Sequence, residues 1–167
     1  MNRLVLALLS FVFCMTAQAQ LKRNILGSQL GVSTEEQVKD TMSQRGYEVS
    51  SSDKDSFSYK DVMFAGNKCD IVTYGFFNNK LYAVSFVIGQ SEYNEIPQNI
   101  YNALRSSLAR KYSGYKMKIT DTECTYKDNK TLIVLSVLKN VYGYAVGLSY
   151  GDLNLFGKKY DEELDEL

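Results

Sequence analysis

The chain has 167 residues, 45% hydrophobic and 23% charged, with Lys+Arg and Asp+Glu balanced at 19 each. That composition describes one folded domain, or two small fused halves, and excludes a disordered chain. There is no His, which removes the Ser–His and Cys–His nucleophile systems and the commonest zinc ligand.

The first residues read as a secretory signal. Arg3 supplies the charged start, LVLALLSFVFCM the apolar run, and Ala17–Gln18–Ala19 the small-residue cleavage site. Cleavage is predicted after Ala19, so the mature chain begins at Gln20. The apolar run is short for a membrane span, and no later stretch is apolar enough to cross a bilayer. Cys14 is preceded by Phe13, where a lipobox calls for a small residue, so a soluble product is expected rather than a lipoprotein. Loss of Arg3 leaves one basic residue fewer than acidic ones, a nearly neutral protein. The basic residues are scattered, which argues against a nucleic-acid partner. The expected location is the periplasm or the cell exterior.

In chain order, residues 20–32 form a short lead-in. A helix is predicted from STEE, where Ser33 is the N-cap and Glu36 completes a capping box. Val38 and Met42 share one face, and Gly46 provides a left-handed stop. FSYKDVMF (57–64) and CDIVTYGFF (69–77) are strand-like and are separated by the turn AGNK. Asn78 and Asn79 make a tight turn, because Asn tolerates positive φ, and KLYAVSFVI (80–88) completes an antiparallel meander. A second helix is predicted from Pro97 to Tyr112, with Ile100, Leu104 and Leu108 recurring along one face beside Ala103. Ser113 and Gly114 end it, and strands are predicted at 115–119, 122–127, 131–138 and 142–150.

The two halves echo each other. GYEVSSSD from Gly46 parallels GYKMKITD from Gly114, and FSYKD from Phe57 parallels CTYKD from Cys124. IVTYGFFNNKLYAVSFVIG from Ile71 parallels IVLSVLKNVYGYAVGLSYG from Ile133. The matches keep one order, and Val38 and Met42 fall opposite Ile100 and Leu104. The predicted fold is α+β: two tandem α-β(3-4) repeats, about 33–89 and 95–151, sharing an antiparallel sheet with helices on one face.

Strand periodicity separates two sheet faces. Tyr144, Val146, Leu148 and Tyr150, answered by Tyr82, Val84, Phe86 and Ile88, form the large, core-facing set. Gly143, Ala145, Gly147 and Ser149, answered by Leu81, Ala83, Ser85 and Val87, form a small-residue set expected to be an open surface. Tyr59 and Tyr126 are expected half-buried on a common face. The acidic tail, 152–167, ends in KKYDEELDEL, read as a solvated helix or as a docking segment anchored by Tyr160, Leu164 and Leu167.

Little recognisable chemistry is encoded. Asp53 and Asp55, with Asp121 and Glu123 in matching places, lack the further oxygen ligands of a calcium loop, since Phe57 and Thr125 stand where those belong. Asp61 and Asp128 are expected in unlike settings, a strand and a turn, which argues against a catalytic pair. Cys69 and Cys124 would survive export into an oxidising compartment, either as a disulfide or as two buried free thiols. No catalytic residue, metal ligand or cofactor site is predicted.

The stretch LGVSTEEQV resembles the helix-opening signature of the SmpA/BamE outer-membrane assembly lipoproteins. The tandem helix-plus-meander plan resembles the β-lactamase inhibitor protein-like fold and the small exported bacterial proteins of unknown function built on it. The resemblance implies a curved sheet that binds another macromolecule and assigns no residue a role. The functional expectation is a non-enzymatic binding protein of the cell envelope that holds another protein or envelope component on its sheet face. Its alternatives are a carboxylate-dependent hydrolase and a lipid or small-ligand carrier. Oligomeric state stays open.

Overall fold

The computed structural model describes residues 20–165 apart from Tyr142. The signal segment, the cleavage site at Ala19 and the Leu167 anchor lie outside the described residues.

Paired left-handed residues cut the chain into hairpins. Ala65 and Gly66 have φ of 50° and 81°, and Asn78 and Asn79 have φ of 49° and 56°. Two successive positive φ values make the tight turn whose twist matches that of the flanking strands. The hairpins belong to β3 (Ser51–Asp53), β4 (Ser56–Phe64), β5 (Asn67–Phe77) and β6 (Lys80–Ser91). The later meander comprises β7 (Met117–Ile119), β8 (Glu123–Lys127), β9 (Thr131–Asn140) and β10 (Gly143–Asp152). A helix precedes each meander: α1 (Glu35–Gln44) and α2 (Glu95–Lys111).

All eight strands join one antiparallel sheet in the order β3-β4-β5-β6-β10-β9-β8-β7. Its centre is the β6–β10 pairing, in which Phe86 lies opposite Leu148. The short strands β3 and β7 occupy the two edges, which limits the unpaired backbone open to another chain.

Helices α1 and α2 cover the face that carries the large side chains. Val38 and Met42 of α1 are fully buried, and the Tyr74 hydroxyl donates to the Met42 sulfur at 3.2 Å. Phe57, Tyr59, Tyr74 and Phe76 pack ring to ring in this part of the core. From α2, Tyr101, Leu104 and Leu108 enter the same core; Ile100 is half-buried and Ala103 faces solvent. Tyr59 and Tyr126 do share the core face, but both are fully buried rather than half-exposed.

Several expectations change. The capping box sits one residue later than predicted: the Gln37 N–H donates to Thr34 Oγ1 and the Thr34 N–H donates to Gln37 Oε1. Ser33 instead accepts a hydrogen bond from the Gln29 N–H at 2.9 Å. The lead-in is a small hairpin, β1 (Asn24–Ile25) and β2 (Ser28–Gln29), with Leu21, Ile25 and Leu30 buried in the core. Leu81 and Tyr82 exchange their predicted faces. The β5–β6 register shifts between Gly75 and Phe76, so Leu81 turns inward and is fully buried. The Leu81 backbone pairs with the lead-in, accepting from the Gly31 N–H and donating to the Ser33 carbonyl, each at 2.8 Å.

The tail is a third helix, α3 (Leu153–Asp165), lying across the opposite, small-residue face. "Helices on one face" therefore describes α1 and α2 only. Cys69 and Cys124 are free, buried thiols on β5 and β8. Three strands lie between them, roughly 19 Å at about 4.8 Å per strand. A disulfide spans Cα atoms at most about 7 Å apart, so these two are not bonded. No helix among the described residues is long and apolar enough to cross a membrane.

Candidate functional site

The middle row of the sheet's outer face runs through short side chains: Ser58, Thr73, Ser85, Ser149, Val134 and Thr125 lie side by side. Ser58 and Thr73 share a hydroxyl hydrogen bond of 2.8 Å, and Ser85 and Ser149, opposite each other on the central strands, share one of 2.9 Å. Ala83, Ser85, Val134 and Ser149 are half-buried. Gly147 is buried because the side chains of Leu138 and Ser136 close over it, within 3.0 and 3.2 Å of where a Cβ would stand. Ile71, Val87 and Leu132 flank this low hydroxyl-bearing row with apolar side chains.

One end of that face is occupied by α3. The helix starts directly where β10 ends, and the Asp152 carboxylate accepts hydrogen bonds from the Asn154 and Leu155 N–H groups at 3.0 and 2.9 Å. These N–H groups are among those a helix start leaves without internal partners. The same carboxylate is ion-paired with Arg23, the two side chains being only 6% and 14% exposed. Arg23 also donates to the carbonyls of Lys130 and Leu30 and to Thr131 Oγ1. This knot packs against Gly31, at φ +79°, where a Cβ would stand 2.5 Å from the Asp152 carboxylate. Only glycine suits both the left-handed backbone and the space.

Beyond this knot α3 rests lightly on the sheet. The Phe156 ring lies 5.9 Å from the Tyr82 ring, and Tyr82 in turn covers Gly75, where a Cβ would be 2.9 Å from the ring. Lys159 reaches Asp55 at 3.6 Å and stands over Phe77 and Tyr82, 5.9 Å from each ring centre. Between helix and sheet lies an apolar cleft of about 300 Å³, lined by Ala83, Ser85, Val134, Ser149, Leu153 and Phe156 among others. Phe156 remains 54% exposed, and Tyr160 and Leu164 point to solvent at 57% and 48%. Tyr160 and Leu164, two of the three expected docking anchors, are thus not engaged with the sheet; Leu153, Phe156 and Lys159 make the contact.

The residues singled out by sequence fall in separate places. Asp61 stands in β4 with a left-handed φ of 56° and pairs with Lys68 at 2.8 Å on the surface. Asp128 sits in the β8–β9 turn, where it accepts from the N–H groups of Leu21, Lys130 and Thr131 at 3.1, 2.8 and 2.6 Å. Burial alone would raise the Asp128 carboxyl; the backbone donors and Arg23 outweigh it and hold the group below its ordinary value. Asp53 accepts from its neighbour Lys54, and Asp55 pairs with Lys159. Burial, helped by Asp70, pushes the Cys69 thiol up to about 11, and burial raises Cys124 as well. Neither is a thiolate at neutral pH, so neither is an activated nucleophile.

Arg23 and Asp152 were not expected to act together. They lie 129 positions apart in the chain, and nothing local in the sequence joins them. Phe156 carried no distinct signal, since the tail also holds Leu153, Leu155, Tyr160 and Leu164. No protein-family model matches the chain, and no curated protein or solved structure matches it either.

Proposed function

We propose that the protein is an exported, non-enzymatic binding module of the bacterial cell envelope that grips another macromolecule on the outer face of its sheet. One observation carries this reading: among the described residues the chain's own α3, at one end, is the helix that lies on the small-residue face, and Ala83, Ser85, Val134 and Ser149 there stay half-buried. A face that receives a helix from its own chain has the shape and apolar relief to receive one from a partner. The resemblance to β-lactamase inhibitor protein-like folds points the same way. The apolar start of the chain, residues 4–15, supports export.

The reading extends to origin. We take the chain as a duplicated unit of one helix and four strands. In its support, the helix-plus-four-strand order occurs twice, and Phe86 and Leu148, which the sequence echo aligns with each other, are direct partners at the sheet centre. The carboxylate-hydrolase alternative requires a cleft with two converging carboxylates. Asp152 lines the outer cleft, but its carboxylate is committed to Arg23 and the start of α3.

The test is site-specific photocrosslinking in envelope preparations. A photoreactive residue at Val134 or Ser136 is expected to give a discrete adduct that the same group at Ser106, on the solvent side of α2, does not. Equal labelling from both sides, or none from the sheet, would overturn the reading.

A further inference from the structure

On the other side of the sheet, a cleft of about 340 Å³ opens between the lead-in, the end of α1, the β4–β5 turn and α2. Its floor is apolar: Phe64, Leu104 and Leu148, with Tyr150 beside them. Phe64 stacks on Phe86 at 4.2 Å between ring centres, so the floor is continuous with the core. Its rim carries Lys22, Arg45 and Lys111, three cations from three separate segments, and no carboxylate lines it.

None of the three cations forms an ion pair among the described residues. Lys22 stands 6.0 Å from the centre of the Phe64 ring, Lys111 lies 5.1 Å from that of Tyr112, and Arg45 donates to the Leu26 carbonyl at 3.3 Å. Partial burial and the charge of Lys111 lower the Lys22 pKa. Like charges gathered over an apolar floor repel one another, and an anion placed among them relieves that repulsion.

We propose that this cleft binds a single-chain amphiphilic anion, such as a medium-chain carboxylate. The head group lies among Lys22, Arg45 and Lys111, and the tail lies on Phe64, Leu104 and Leu148. The volume falls within the range of small-molecule sites, about 300–1,000 Å³, and the mix of apolar lining with a few polar groups is characteristic of them. The site is independent of the outer-face reading, being on the opposite side of the sheet.

Calorimetric titration of the protein at low salt tests the proposal with four probes: decanoate, decanol, inorganic phosphate and anionic phospholipid vesicles. Decanoate is expected to bind, decanol and phosphate each at least about tenfold more weakly, because each supplies half of the recognition. Combined Lys22→Gln, Arg45→Gln and Lys111→Gln substitutions, all at exposed positions, are expected to weaken decanoate about tenfold or more and leave decanol unchanged. Ser107→Trp, which fills the cleft from its exposed rim, is expected to abolish binding of both, with an unchanged circular dichroism spectrum confirming that the variants fold. Any one of four results overturns the proposal: no decanoate binding, decanol or phosphate matching decanoate, an unaffected charge variant, or binding to vesicles without binding to free decanoate.

Discussion

At Asp152 one carboxylate serves both the Arg23 guanidinium and the first free N–H groups of α3. Removing one member of a buried, hydrogen-bonded pair strands the other charge, which costs about 3–5 kcal/mol. Asp152→Ala is therefore expected to lower stability by about 3 kcal/mol or more, read from urea unfolding. Asp152→Asn keeps an oxygen for the helix start and is expected to cost less. Asp128 makes the pH argument. Its folded pKa lies below the ordinary 3.8, so its contribution is complete above that value and is lost as the pH falls through the lower folded pKa. Urea midpoints at about pH 6 and about pH 3 should fall less steeply in Asp128→Ala than in the parent chain. The variant should already be weaker at the higher pH, by about 1–2 kcal/mol, for lack of the hydrogen bonds that tie Leu21 to the β8–β9 turn.

At the scale of elements, α3 is held by its first residues and touches the sheet through few side chains, so it is the part most readily lifted. Truncation after Asp152 is expected to leave the sheet folded, at a cost of about 1–2 kcal/mol, and to increase binding of an apolar dye such as ANS to the outer face. A truncated chain that fails to fold would show that α3 belongs to the core. Phe156→Ala, which loses one half-exposed ring contact, is expected to cost about 1 kcal/mol and to move dye binding the same way.

The regular elements were legible because their signals are local. Asn78 and Asn79 marked a hairpin, Val38 and Met42 a helix face, and Val146, Leu148 and Tyr150 the core row of β10, whereas Ala145 and Gly147, expected on the open face, are buried and Tyr144 is only half-buried. What was not legible depends on distant partners. Leu81 and Tyr82 exchange faces because the β5–β6 register shifts after Gly75, with the lead-in taking up the Leu81 backbone groups, and no periodicity within β6 encodes that. The lead-in itself, with Leu21, Ile25 and Leu30 in a short run, was too brief to show a period. The cap slipped from Ser33 to Thr34 because both are good caps, each three residues ahead of a suitable Glu or Gln. Of the outer-face site, the small-residue stripe could be read, whereas the docking of α3 through Leu153 and Phe156 could not.

Across the whole molecule, the echo of SYKD and TYKD proves looser than its letters suggest. Followed outward from Phe86 and Leu148, the sheet register sets Val72 beside Phe86 and Leu135 beside Leu148, then Tyr59 beside Val72 and Cys124 beside Leu135. By register, Tyr59 thus corresponds to Cys124, two residues short of Tyr126. That slip of two keeps Tyr59 and Tyr126 on one face, but on the neighbouring strands the letters slip by one and align buried Val72 with Val134 of the outer face.

The sheet has a seam. Each meander is a run of neighbouring hairpins, whereas β6 and β10 join residues as far apart as Ala83 and Gly151. Contacts of that separation form late, after the local hairpins. Among the described residues the covalent link between the two meanders passes the seam through the short turn 92–94, with Tyr93 at its exposed tip. Cut there, the chain becomes two fragments, each with one long strand edge that only the other completes. Co-expressed, the fragments should recombine into a complex that elutes together and regains the parent circular dichroism spectrum, while either alone aggregates or stays unfolded. The same open edges make the molecule a candidate for exchanging halves between two copies during refolding at high concentration.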